Sequence, residues 1–385
     1  MQKKIIALAL AGAFITPLAM ADVTIYGFIS AAVEGASASN SNSNATYPGR
    51  ARVQDQNSRI GFKGTEDLGN GLKTIWQVES SLKNFDQGGT NDKGEQATFA
   101  TRNTFVGLSD STLGTVRLGY YDSAYKRFTN VGANIMADTT ADIMGSSSIA
   151  GRGEARLKNS IHYETPVWSG FQAGLSYGFD ESTTQNPSTN TGRWSLGASY
   201  TNGGLKVGAA YDRQSDTSTK ALTSTSGFSA STRTAGVNTT FWRLASSYKF
   251  DFGTMVAANY ESASYGNIAG AGSSNLSQKD WTLAVSQTFG NATVALSYTK
   301  LGGLSNVSST NSGDWGANQW VLGGTYNLSK QTQILAYATR LKNEANQNVN
   351  FANNAIYTSG VGSSTAALAA GNTLKAIGLG MKYSF

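Results

Sequence analysis

The sequence predicts an all-β chain, a transmembrane antiparallel β-barrel of about sixteen strands. Three observations predict it. Apolar and polar side chains alternate with period two through segment after segment, the spacing that sends neighbours to opposite faces of a sheet. Connections between these segments alternate between tight turns and long polar loops. No stretch beyond the first residues approaches the roughly 18 apolar residues of a membrane helix. With 44 Gly, 4 Pro and 10% aromatics, the composition is that of many strands joined by turns.

The chain opens with Met1, Gln2, Lys3 and Lys4, an apolar run from Ile5 to Ala19, and the small-x-small sequence Ala19-Met20-Ala21. Residues 1–21 are expected to be an export signal peptide and 22–385 a single barrel domain. The run is short for a spanning helix and no stop-transfer pattern follows it. Its removal takes two lysines from a formal net charge of +6. Cysteine is absent, so an exported domain must be held without disulfides and thiolate metal sites are impossible. His162 is the only histidine, which rules out a multi-histidine metal site; no cofactor is expected.

Phe171, Ala173, Leu175, Tyr177 and Phe179 share one face, with Gln172, Gly174, Ser176 and Gly178 on the other. The same pattern recurs in Leu72–Lys83, Trp194–Tyr200, Leu205–Tyr211, Trp242–Phe250, Trp281–Phe289, Val294–Tyr298 and Trp320–Tyr326. Tight connections such as Leu68–Gly71, Ser111–Gly114 and Asn202–Gly204 alternate with long ones such as Ser37–Gln56, Gln214–Val237 and Asn343–Gly371. A soluble sandwich also alternates, but so many strands would leave four sheet edges, and edges usually carry Pro or inward charge. A barrel has no edges, and rows that begin or end in Trp or Tyr supply its interfacial girdles. In the last strand Ile377, Leu379, Met381, Tyr383 and Phe385 make an unbroken apolar face.

The longest stretch without alternation is Ser123–Gly153, entered from Thr115–Tyr121 and left through Glu154–Thr165. A structureless segment of that length between well-patterned strands is expected to be functional, here the gate of a pore.

Asp22–Gly27 (DVTIYG), Asn57–Gly71 (NSRIGFKGTEDLGNG), Arg102–Leu108 (RNTFVGL), Leu113–Gly119 (LGTVRLG), Arg156–Pro166 (RLKNSIHYETP) and the closing Tyr383-Ser384-Phe385 resemble the general porins of Gram-negative bacteria, especially the beta-proteobacterial and neisserial type. The resemblance implies a homotrimeric sixteen-stranded barrel in the cell outer membrane, its third loop, the 123–153 stretch, folded into the lumen. It implies outer-membrane lipid and lipopolysaccharide as surroundings and small ions and solutes as cargo. It also implies Phe385 and the last strand as the signal read by the outer-membrane assembly machinery.

A passive pore selects by diameter and by rings of charge at its narrowest section. Inward charge is expected where strands flank the long loop. Arg59 and Lys63 oppose Ile60 and Phe62, Arg117 opposes Val116 and Leu118, and Arg156, Lys158, Ser160, His162 and Glu164 oppose Leu157, Ile161 and Tyr163. A charge on the lipid face near mid-membrane would cost about 2–4 kcal/mol, which fixes the sign of the parity. By resemblance Arg59, Arg102 and Arg156 match the constriction arginines of anion-selective porins. Counting back from Val106 and Leu108 puts Arg102 on the lipid side, so a bulge or register shift must intervene. Asp122, Asp138 and Asp142 are the acidic candidates of the loop, with Glu79 on the wall. Basic groups outnumber acidic ones, and a weak anion preference is expected.

A hydrolase would need His162 as its base, yet no Gly-x-Ser-x-Gly lies nearby and His162 shares the parity of the wall charges. A substrate-specific channel, for sugars for instance, would show a ladder of inward aromatics, of which Tyr121 is one. An adhesin or receptor role for the polar loops stays open. Scattered basic residues give no continuous nucleic-acid surface.

Overall fold

In the computed structural model, which describes residues 22–40, 47–82, 99–145, 148–181, 189–219, 231–267, 275–307, 310–356 and 368–385, the described residues form nineteen strands, three of which (Tyr47–Asp55, Thr217–Thr219 and Ser231–Arg233) fall inside the connections Ser37–Gln56 and Gln214–Val237 expected to be loops. The signal-peptide residues 1–21 lie outside the described residues. In chain order the strands are β1 Asp22–Ser39, β2 Tyr47–Asp55, β3 Arg59–Gly69, β4 Leu72–Ser81, β5 Thr104–Asp110, β6 Gly114–Asp122, β7 Arg156–Glu164, β8 Phe171–Gly178, β9 Arg193–Asn202 and β10 Leu205–Gln214. After them come β11 Thr217–Thr219, β12 Ser231–Arg233, β13 Thr239–Lys249, β14 Thr254–Asn267, β15 Leu276–Phe289, β16 Ala292–Leu301, β17 Ala317–Asn327, β18 Thr332–Asn343 and β19 Thr373–Ser384. One short helix, α1, spans Ala124–Phe128.

β2 and β3 run end to end along β1, Ala38 opposite Tyr47 at one end and Asp22 opposite Thr65 at the other. They are one barrel strand, broken at residues 56–58, where Asn57 takes a left-handed φ of 59°. β11 and β12 pair with each other as a small ribbon within a long loop. The sixteen remaining staves are antiparallel and close when β1 pairs with β19 from Phe28–Ser384 to Ser39–Thr373. Gly27 and Phe385 exchange both backbone hydrogen bonds, extending that seam. Closure leaves no barrel edge with unpaired backbone, the condition for strands in hydrocarbon.

The outward rows are the apolar ones. Val106, Leu118, Leu196, Leu244, Leu283, Leu322 and Leu379 are all exposed, whereas polar neighbours in sequence such as Ser195, Arg243 and Thr282 are buried. Burying polar residues beneath a skin of exposed Leu and Val inverts a soluble protein, and lipid is the solvent that makes the arrangement favourable. Trp281, Tyr298 and Trp320 pack at tilted angles across three strands near the long-loop rim, with ring centroids 5.4 and 4.6 Å apart. Tyr248 and Phe250 mark the short-turn rim. Aromatic rings at both levels match the two interfaces of a bilayer.

What apolar core exists lies inside, between loops and wall. Met136, Ala141, Ile143 and Ile149 of the long loop cluster with Ala32, Ala36, Val321, Leu335, Tyr337 and Leu341 of the strands. Val349, Phe351 and Ile356, from the connection after β18, join the same cluster. That connection, polar on the whole, hides apolar residues that fold inward.

Candidate functional site

The segment after β6 turns into the enclosed space and is fixed at two ends. Ser123 caps α1 by accepting from the Lys126 amide, a modest interaction at 3.3 Å. The helix rests on the inner faces of β8, β9 and β10, where the Ala124 amide donates to Ser176 Oγ (2.9 Å) and the Tyr125 amide to Ser195 Oγ (2.8 Å). Glycine makes this close approach possible. A Cβ on Gly197 would lie 2.7 Å from the Ala124 carbonyl oxygen, and one on Gly208 only 2.0 Å from that of Phe128. The Tyr125 hydroxyl donates to Glu261 (2.7 Å), which also receives Arg243 (2.6 and 3.0 Å) and the Arg152 amide (2.7 Å). Burial and the neighbouring carboxylate push the Tyr125 phenol well above its ordinary range, so it remains a donor.

The far end of the loop reaches the wall half a ring away. Asp138 pairs with Arg59 and accepts from Asn57 Nδ2 (2.6 Å), and the Thr140 amide donates to Gln56 Oε1 (2.9 Å). Asn354 Nδ2 donates to Thr140 Oγ1 (2.9 Å), and Tyr337 bridges Thr140 to Glu34. Fixed at β8–β10 and at β1–β3, the loop crosses the interior and narrows it.

The charged candidates gather around this crossing. Arg59, on β3, lies with its guanidinium carbon 4.5 Å from the Phe28 ring centroid, and Lys63 Nζ is 5.1 Å from that of Tyr26. Arg102 Nε donates to Glu79 Oε1 at 2.5 Å, and the other oxygen of Glu79 accepts from Tyr26 (2.9 Å). The conflict over Arg102 dissolves because β5 begins only at Thr104, so strand parity does not govern residue 102. Arg117 pairs with Glu164 at 3.1 Å and stands 4.9 Å from the Tyr121 ring, which faces inward as the alternation requires. Arg156 pairs with Asp122 (3.0 Å) and donates to Asn103 (2.7 Å), and Lys126 of α1 reaches the same carboxylate at 3.1 Å.

Two expectations are corrected. Lys158 does not continue the row of Ser160, His162 and Glu164. The pairing of β6 with β7 shifts between Gly119 and Tyr121, and Asn159, with φ of 50°, is the extra residue of a bulge. Leu157 is therefore buried opposite Tyr121 while Lys158 is exposed. Asp142 does not face the opening either. It is buried in the loop, accepting from Asn134 Nδ2 (2.6 Å) and the amides of Met144 and Asp138 (2.8 Å each). Burial pushes its carboxyl up to about 6, against hydrogen bonds that lower it.

Three basic residues escaped the sequence reading. Arg127 of α1 pairs with Glu164 and stands 4.9 Å from the Tyr121 ring; Lys126 is described above. Lys382 Nζ is 3.8 Å from the Phe28 centroid, across that ring's neighbourhood from Arg59. The parity of the last strand, with Lys382 opposite the Met381 and Tyr383 row, carried that signal. His162 is a wall strut, hydrogen-bonded between Ser160 Oγ (2.7 Å) and Ser176 Oγ (2.8 Å) and buried.

A closed barrel with lipid-facing apolar rows, and an interior narrowed by a charged loop, defines the class of transmembrane pore-forming barrels. The chain belongs to the Gram-negative porin family, whose profile matches residues 7–346. It is 36% identical over 219 residues to the major outer membrane protein P.IB of Neisseria meningitidis serogroup B, covering 55% of this chain and 60% of that protein. The protein of the same name from Neisseria gonorrhoeae is 34% identical over 212 residues, 53% of this chain and 55% of its own. The chain thus spans about three fifths of the length of the curated relatives it matches. Among solved structures, the anion-selective porin from Comamonas acidovorans superposes with TM-score 0.71 at 24% identity, covering 95% of this chain and all of that one. OmpT of Vibrio cholerae gives 0.62 at 14% identity, covering 95% and 99%. At these identities the structural likeness establishes the fold. Family and fold together locate the chain in the outer membrane.

Proposed function

We propose that this barrel is a diffusion channel for small hydrophilic solutes and ions, weakly selective for anions and working as a homotrimer. The observation that carries the reading is the charge balance at the loop crossing. Arg59, Lys63, Arg102, Arg117, Lys126, Arg127, Arg156 and Lys382 gather there, against the carboxylates of Glu79, Asp122, Asp138 and Glu164. Every one of those carboxylates is paired, and Lys63 and Lys382 have no ion-pair partner among the described residues. Low-dielectric walls strengthen the resulting positive field, raising the local concentration of anions and lowering that of cations. Stacking on Phe28, Tyr26, Phe105 and Tyr121 holds the basic groups against the wall without neutralising them. The anion selectivity of the structurally similar Comamonas protein supports the same reading. Export with loss of residues 1–21 belongs to the proposal.

Reversal potentials in planar bilayers under a potassium chloride gradient test it. Anion preference with conductance linear in salt is expected. Cation preference would refute the charge argument, and conductance saturating with one solute would favour a substrate-specific channel.

A further inference from the structure

Beneath the far anchor of the loop, on the side of the short turns, lies a pocket between loop and wall. The loop meets the strands at the row of Glu34, Gly378, Tyr337 and Gly323. There the Tyr337 hydroxyl donates to Thr140 Oγ1 (3.2 Å), and a Cβ on Gly323 would lie 2.2 Å from the Met136 sulfur. One row nearer the turn between β17 and β18 come Ala32, Gly380, Leu335 and Thr325, and the next holds Ser30, Lys382 and Gln333. Between these two rows and loop residues 134–139 is a space of about 240 Å³. That is smaller than the roughly 300–1,000 Å³ of sites for drug-sized molecules, so its occupant is small.

The lining is half apolar and half a set of unused donors. Ile135 and Met136 of the loop and Leu335 of the wall form the apolar part. Lys382 Nζ rests 3.8 Å from the Phe28 centroid with no carboxylate paired to it, and a ring face leaves its N–H groups free to donate. Directly opposite on β1, Ser30 is 2% exposed and its Oγ has no hydrogen-bond partner. A buried hydroxyl in that state is a cost that a ligand oxygen removes. Asp138 also borders the space, but Arg59 and Asn57 hold its carboxylate. We propose that this pocket binds small monocarboxylates with a short aliphatic tail, the carboxylate on Lys382 Nζ and Ser30 Oγ and the tail against Leu335, Ile135 and Met136. One unpaired cation matches one carboxylate. A second carboxylate would be pressed against Leu335 and Met136 with nothing to pair it. The inference deepens the channel reading and rests on it, because it names a solute class that lingers beside the passage.

Isothermal titration of the detergent-solubilised barrel with hexanoate tests it, with reversal potentials in potassium chloride measured in parallel. Hexanoate should bind saturably, one per barrel. Butyrate, two methylenes shorter, should bind about fifteenfold more weakly, and succinate no better than butyrate. Hexanamide, which keeps the tail and loses the charge, should bind at least about tenfold more weakly than hexanoate. Lys382→Gln should bring hexanoate down to the level of hexanamide while leaving hexanamide unchanged, an outcome that partition into the detergent cannot produce. Ser30→Ala should weaken hexanoate about threefold or more. Equal hexanoate affinity in parent and Lys382→Gln, or equal affinities for butyrate and hexanoate, would overturn the site. Tighter binding of succinate than of hexanoate would overturn the monocarboxylate assignment. Anion-selective reversal potentials in a barrel that binds no hexanoate would sink the pocket alone. Tail-dependent and Lys382-dependent binding by a cation-selective barrel would sink the selectivity reading alone.

Discussion

Lys382→Gln isolates the electrostatic claim. Lys382 lies 3.8 Å from the Phe28 centroid with no carboxylate paired to it, while the neighbouring Arg59 is offset by Asp138. Replacing its ammonium by an amide of similar reach therefore removes one net charge and orphans nothing. A permeating ion about 5 Å from that charge feels about 0.8 kcal/mol even at the dielectric constant of water, and about 3 kcal/mol at an effective value of 20. Screening at 0.15 M salt roughly halves the smaller figure. Anions are then enriched about twofold and cations depleted about twofold, so the anion-to-cation permeability ratio should fall about fourfold in the variant. The assay is the reversal potential across a planar bilayer under a salt gradient. Lys330→Gln, in the turn between β17 and β18, is the control and should leave the ratio unmoved. The shift should grow as total salt is lowered, because the screening length increases. A ratio unchanged from the parent, or moving toward anions, would refute the view that unpaired wall charge sets selectivity.

Asp142 makes loop order pH-dependent. Its carboxyl is raised to about 6, so the folded state binds its proton more tightly than the unfolded chain, and stability is lost as pH rises from about 4 to 6. The raise of about two units corresponds to about 3 kcal/mol between full protonation and full ionisation, of which about half separates pH 5 from pH 7.5, so protection over residues 134–144, taken relative to an unstructured chain at the same pH, should be higher at pH 5 than at pH 7.5. Asp142→Asn should abolish the difference; persistence of it would implicate another group. Gly208→Val puts a side chain against the Phe128 carbonyl oxygen, a backbone atom that cannot move alone. The helix should lift, with higher conductance and new tryptic cleavage after Lys126 or Arg127; parental conductance and resistance would contradict the seating described. Tyr125→Phe removes the hydroxyl donated to buried Glu261 and should destabilise the loop by about 1–3 kcal/mol, read as faster exchange over residues 124–128. Unaltered exchange would mean that Arg243 and the Arg152 amide hold the loop without it.

Alternation in the sequence identified the strands because each residue's environment there is set by its neighbours two apart. It put Arg59, Lys63, Arg117, Tyr121 and Glu79 on the inner face, where they lie. It failed at Lys158 because a single extra residue at Asn159 reverses Leu157 and Lys158 relative to the row of Ser160, His162 and Glu164, and nothing in the composition of Leu157–Ser160 announces that bulge. Arg102 was ambiguous for a related reason: parity was extended past the point where the strand ends.

Inside the long loop there was no period to read. Lys126 and Arg127 became wall charges, and Asp142 an internal strut, only through contacts with Ser176, Ser195 and Glu164 on strands far along the chain. The sequence by itself determined the barrel, its lipid-facing rows and the positive character of its interior, since those follow from local periodicity and charge. The tertiary structure alone decided which charges meet and where the passage narrows. Those depend on closure of the ring and on glycines that admit a helix backbone at one place on the wall, and neither is encoded by spacing between neighbouring residues.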